Sequence, residues 1–112
     1  MTHSIIKAAG CFALSVLGKG QTDQAFSFFK PVTREGERIG GHAFRTGSTG
    51  SPVLVGAPAS LECSLVSTVE EGDHSLFVGK VVDAGVPDPI TGRPDAITLV
   101  LGDLGEKTFY GG

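Results

Sequence analysis

Two hydroxyls near the N-terminus, Thr2 and Ser4, and one histidine after a turn, His74, are the residues whose types and settings offer chemistry. Thr2 and Ser4 open an apolar helical segment. Hydroxyls and first-turn N–H groups at a helix start suit an anionic phosphate, and the same residues serve as plain helix caps. His74 follows Glu71-Gly72-Asp73, a turn sequence in which Asp73 suits the turn itself. There its ring can position a ligand by hydrogen bonding, or simply pack at the turn edge.

His42 shares a glycine-rich stretch with Arg34, Arg38 and Arg45, whose guanidinium groups can meet phosphates, although Glu35 and Glu37 dilute that charge. Lys7, one turn into the first helix, faces solvent in this reading. Phe26, Phe28 and Phe29 can supply a stacking ring or a core face. Cys11 and Cys63, the only cysteines, both lie in apolar segments that suit reduced, buried thiols, and the expectation is that no metal is bound. Ser-His-Asp arrangements, metal motifs and phosphate loops are missing from the sequence, so hydrolase chemistry has no support.

The elements that must position these residues fit one domain spanning 1–112, since 112 residues suffice for a single small core. With 17 Gly, 6 Pro and no Trp, short strands joined by tight turns are favoured over a long-helix bundle. A net charge of −3 without basic clusters argues against nucleic acid as partner. The N-terminal apolar pieces are interrupted by Lys7, which argues against a signal peptide or membrane span and for a cytoplasmic protein.

Thr2 or Ser4 is expected to cap a helix of about two turns that Gly10 ends in a left-handed conformation. Residues Cys11 to Leu17 are apolar throughout and suit a central strand covered on both faces. Thr22 or Asp23 can cap a second short helix with Ala25, Phe26 and Phe29 on one face, stopped by Pro31. Val32 to Gly50 reads as a long loop, and Pro52 to Gly56 as a short extended piece. Ala59 to Glu71 alternates, with Leu61, Cys63, Leu65 and Val69 on the core face and Ser60, Glu62, Ser64 and Thr68 opposite. His74 to Ala84 is a second strand, and the two form an antiparallel hairpin. Ala96 to Leu101 reads as a third strand, and Phe109-Tyr110-Gly111-Gly112 as a short edge strand. The fold class is therefore mainly β (α+β).

Two segments, in this order and spacing, resemble the flavin-reductase-like domain family, the FMN-binding split barrels. In the first, Thr2-His3-Ser4 opens a helix that leads through Gly10 to the apolar run Cys11 to Leu17. In the second, Gly72-Asp73-His74 precedes a strand with Gly79 five residues after the histidine. Phe28-Phe29 and Arg38-Ile39-Gly40-Gly41 resemble the family's intervening helix and loop. The resemblance implies an incomplete split barrel of antiparallel strands and two short helices, the C-terminal portion of such a domain lacking its N-terminal strands. It implies FMN as cofactor, NAD(P)H as reductant, Thr2 and Ser4 at the flavin phosphate, and His74 beside flavin and nicotinamide as the catalytic position. Tyr110 near the flavin edge, a homodimer, and a partner oxygenase or electron-transfer protein are further implications. The function so implied is an NAD(P)H-dependent flavin reductase or flavin electron carrier. The alternative is a truncated, non-catalytic fragment serving as a dimerisation or interaction module.

Overall fold

The computed structural model describes residues 2–105. Helix α1 (Thr2–Ala9) leads into β1 (Cys11–Val16), and α2 (Thr22–Ser27) follows. Next come four short strands, β2 (Arg34–Glu35), β3 (Arg38–Ile39), β4 (His42–Thr46) and β5 (Pro52–Leu54). Two long strands, β6 (Ala59–Val69) and β7 (Leu76–Gly85), precede a single helical turn α3 (Pro94–Ile97) and a 3₁₀ turn at Leu101–Leu104. All strand pairs are antiparallel. They form one sheet of order β1-β6-β7 and a meander of order β2-β3-β4-β5. This is the mainly β architecture with short helices that the composition predicts, and the described strands close no barrel. Among the described residues no helix is long and apolar enough to cross a membrane.

Gly10 ends α1 as its sequence position suggests. Its φ of 71° is the left-handed conformation that a Cβ disfavours, and its N–H closes the helix on the Ile6 carbonyl at 2.9 Å. The chain then runs straight into β1, whose Cys11 to Val16 pair with Ser64 to Ala59 of β6. Strand β6 continues across to β7 with two register shifts, one between Glu62 and Cys63 and one between Leu65 and Ser67. Such bulges twist a hairpin and re-aim side chains locally.

The core is small, built on Phe44, Val53, Ala57 and Cys63. On the Cys63 face of the first sheet, Phe12 stands opposite Cys63 and lays its ring over Gly79 of β7. A Cβ at residue 79 would come within 2.7 Å of Phe12 Cζ and 2.9 Å of Cys63 Cβ. Gly79 is thus a packing glycine. Gly79→Ala should destabilise the chain by about 1–3 kcal/mol through overpacking. Adding Phe12→Leu should recover part of that loss in a thermal-unfolding double-mutant cycle. Strict additivity of the two changes would refute the contact.

Several expectations are corrected. Strand β1 is an edge of its sheet and β6 is central, so β1 is only partly covered and Leu14 is exposed. Val32 to Gly50 is a meander of short strands instead of a loop, because Gly36, Gly40 and Gly41 take positive φ and let the chain reverse tightly. Ala96 to Leu101 is no strand: Pro94 at the first helical position starts α3, and only an isolated bridge from Thr98 to Gly18 is β-like. Helix α2 begins after Gln21 without a side-chain cap, so Thr22 and Asp23 lie inside it. Phe26 and Phe29 pack edge to face at 5.4 Å yet remain exposed. Thr2 and Ser4 lie within α1. Strand β7 begins at Leu76, which leaves His74 in the turn and not at the strand's first residue. The suggested edge strand at Phe109 to Gly112, and Tyr110, lie outside the described residues.

Candidate functional site

A groove of about 510 Å³ opens between the start of α1 and the β6–β7 turn, lined by Thr2, His3, Glu70, Gly72, Asp73, His74, Ser75 and Phe77. Gly72 takes a φ of 77°, which turns the chain sharply after Glu71 and brings His74 to the rim. The His74 Nδ1 lies 2.8 Å from Asp73 Oδ1. A carboxylate can only accept, so Nδ1 is the donor in this exposed pair, which biases the ring's orientation. Opposite stands Thr2, exposed at the first position of an eight-residue helix without an acidic residue in its first turn. The positive end of the helix dipole therefore points at this side of the groove without a competing carboxylate of its own.

Between them lies a contact that the sequence did not suggest. His3 packs its ring on Phe77, centroids 5.3 Å apart, and its Nε2 is 2.7 Å from Glu70 Oε1, close but not aligned as a hydrogen bond. Lys7 is exposed, as expected, and at the surface it reaches the same carboxylate, Nζ to Oε2 at 3.0 Å. The Lys7 ammonium is the main cause that holds the Glu70 carboxyl below its usual range, partial burial opposing it.

Of the residues singled out from sequence, Thr2 and His74 share this groove, whereas Ser4 does not line it. His42 and the arginines lie elsewhere. Arg34 sits over the Phe44 ring at 4.9 Å, and Arg38 donates to the Gly41 carbonyl at 2.8 Å. Ser27 Oγ is 2.8 Å from His42 Nε2, the spacing of a nucleophilic pair. Yet Ser27 donates its only proton to the Gln24 carbonyl at 2.6 Å, so His42 must be the donor to Ser27. That is the reverse of nucleophile activation.

A second polar centre was hidden by the alternation of β6. Glu62, assigned to the polar face with Ser60, is 2% exposed, and Ser60 is buried too. The β4–β5 turn folds over Glu62. Its carboxylate accepts from Thr49 N–H at 3.0 Å, Thr49 Oγ1 at 2.8 Å and Ser48 N–H at 3.2 Å. These donors, the Thr49 N–H first, hold its carboxyl below the usual range against the effect of burial. Cys11 joins the same turn, its thiol donating to the Thr49 carbonyl at 3.6 Å and accepting from Ser51 Oγ at 3.4 Å.

The chain is similar in sequence and fold to known proteins. The profile of the flavin reductase like domain matches residues 1–103. A ferric-chelate reductase (NAD(P)H) of Archaeoglobus fulgidus is 38% identical over 88 residues, covering 76% of this chain and 52% of that protein. The reductase component of a 4-nitrophenol 4-monooxygenase/4-nitrocatechol 2-monooxygenase of Rhodococcus opacus is 33% identical over 92 residues, 80% of this chain and 48% of that protein. Among solved structures, the FMN-binding protein from Thermus thermophilus with bound p-hydroxybenzaldehyde superposes with a TM-score of 0.67 at 33% identity, covering 84% of this chain and 53% of that one. The chain belongs to the flavin-reductase-like domain family, and its antiparallel fold is that of these split-barrel relatives. It spans about half the length of the last three proteins.

Proposed function

We propose that the chain serves an NAD(P)H-dependent flavin reductase, with FMN as the flavin. The observation that carries this reading is the meeting of Thr2 and His74, from distant parts of the sequence, across one groove. The donor set fits the cofactor at two points, a helix start with an exposed hydroxyl for a phosphate and an imidazole for the edge of a planar ring, while the Glu70 and Asp73 carboxylates of the same groove are paired with Lys7 and His74. Thr2 is assigned to flavin binding and His74 to flavin and nicotinamide positioning, while Ser4, two residues further along α1 and outside the groove lining, is given no direct contact there.

Bound flavin supplies the ring that accepts hydride from the reduced nicotinamide. The chain's own part is orientation. Asp73 biases the His74 ring's orientation, His74 holds the nicotinamide side of the groove, and the α1 start holds the anionic end of the flavin. An oxygenase partner accords with the reductase component named among the relatives, and a cytoplasmic location is part of the same proposal. Leu76, Val78, Val81 and Val82 expose apolar surface along β7 that a second copy can cover, which supports a homodimer.

Titrating the chain with FMN, followed by anaerobic addition of NADH or NADPH, tests the proposal. Saturable quenching of flavin fluorescence and bleaching of the visible band on adding reductant are expected. Failure to bind at about 1 mM FMN, with dimerisation intact, would favour the interaction module instead.

A further inference from the structure

Helix α1 carries the proposed flavin side of the groove, yet none of its described residues is buried and Ile5 is exposed. Apolar packing alone therefore fixes it loosely. Contacts that cross from α1 to the tip of the β6–β7 hairpin include the His3 ring on Phe77 and one carboxylate, Glu70. It meets His3 at 2.7 Å and Lys7 at 3.0 Å, residues one helical turn apart on the same face. The His3 ring is backed by Phe77. The Lys7 ammonium and the His3 ring on one helix face, with one acid beside the His74 turn, make a brace across the groove.

We propose that Glu70 is a positioning residue that clamps α1 through His3 and Lys7 and so sets the distance between Thr2 and His74. The functional half of this inference rests on the flavin-reductase reading; the clamp itself does not. Ion pairs this exposed alter an equilibrium by about fivefold or less. The clamp is thus too weak to hold the fold together. It is strong enough to govern the placement of one weakly packed helix.

Hydrogen exchange and kinetics on the full chain with Glu70→Gln separate these consequences. Amides of α1 should exchange about two- to fivefold faster while β1 and β6 are unchanged, and the thermal midpoint should barely move. High salt should quicken α1 exchange in the wild type and leave Glu70→Gln unaffected, because screening acts only on the charged clamp. Lys7→Glu alone should loosen α1, and the exchanged pair Lys7→Glu with Glu70→Lys should restore it in part. In turnover, kcat with NADH should fall more than KM rises, as expected when two held groups lose alignment. Unchanged α1 exchange in Glu70→Gln, or equal acceleration in β1 and β6, overturns the clamp. Altered α1 exchange with an unaltered kcat overturns its positioning role. If the wild type itself reduces no flavin, the reductase reading fails, and exchange still decides the clamp.

Discussion

Replacing His74 by alanine is expected to lower turnover with NAD(P)H about ten- to a hundredfold while changing FMN affinity by only a few fold. The ring stands at the groove rim with Nδ1 2.8 Å from Asp73 Oδ1, an exposed pair that biases its orientation. Loss of one positioning hydrogen bond in such a site is worth about 1–3 kcal/mol, which gives that range of rates. Thr2→Ala should act in the opposite sense, because Thr2 lies at the helix start across the groove. Flavin binding should weaken, and hydride transfer within the remaining complex should stay close to normal. Stopped-flow reduction of preformed flavin complexes separates the two steps. If both variants lose flavin affinity alone, His74 belongs to the scaffold and its nicotinamide role falls.

How far this site could be read from sequence depended on the range over which each residue was placed. Gly10 and Gly72 act locally, through positive φ, and both the end of α1 and the β6–β7 turn were legible for that reason. The long strands β6 and β7 have enough residues to display alternation. Strands β2 and β3 have two residues each, too few to display any period, so the meander read as a loop. In Ala96 to Leu101 the apolar, β-branched residues suggested a strand, but Pro94 and the local turn prevailed over that propensity. His3 and Glu70 were invisible because their meeting depends on where the hairpin tip docks on α1, a tertiary fact with no local signature. Thr2 and His74 were legible only through their combination with Gly10, Gly79 and the apolar strand between them, which carried the family resemblance.

Glu62 shows the limit most clearly and carries the second large prediction. Alternation placed it correctly on the polar face of β6, but the β4–β5 turn, earlier in the chain, covers that face. The turn is shaped around its carboxylate. Gly47 stands so close to it that any Cβ there would collide with the Glu62 side chain. Ser48 bridges onward, its hydroxyl donating to Asp83 at 2.6 Å, which ties the turn to β7 as well. Glu62→Gln keeps the shape but puts an amide NH2, itself a donor, where a carboxylate oxygen accepted from backbone N–H. The thermal midpoint at neutral pH should therefore fall by on the order of 10 °C. The sign of the pH effect follows from the lowered folded pKa. The stabilisation is fully present above the unfolded value of 4.5 and is lost as pH falls through the lower folded value. Asp83, Glu70 and Asp103 are also lowered and steepen the wild-type acid limb in the same direction. The difference between wild type and Glu62→Gln reports Glu62 together with its coupling to Asp83, since each carboxyl influences the other. Midpoints measured from neutral pH into acid should converge below pH 4.5. Parallel curves through that interval, or equal midpoints at neutral pH, would show that the turn does not depend on the charge beneath it.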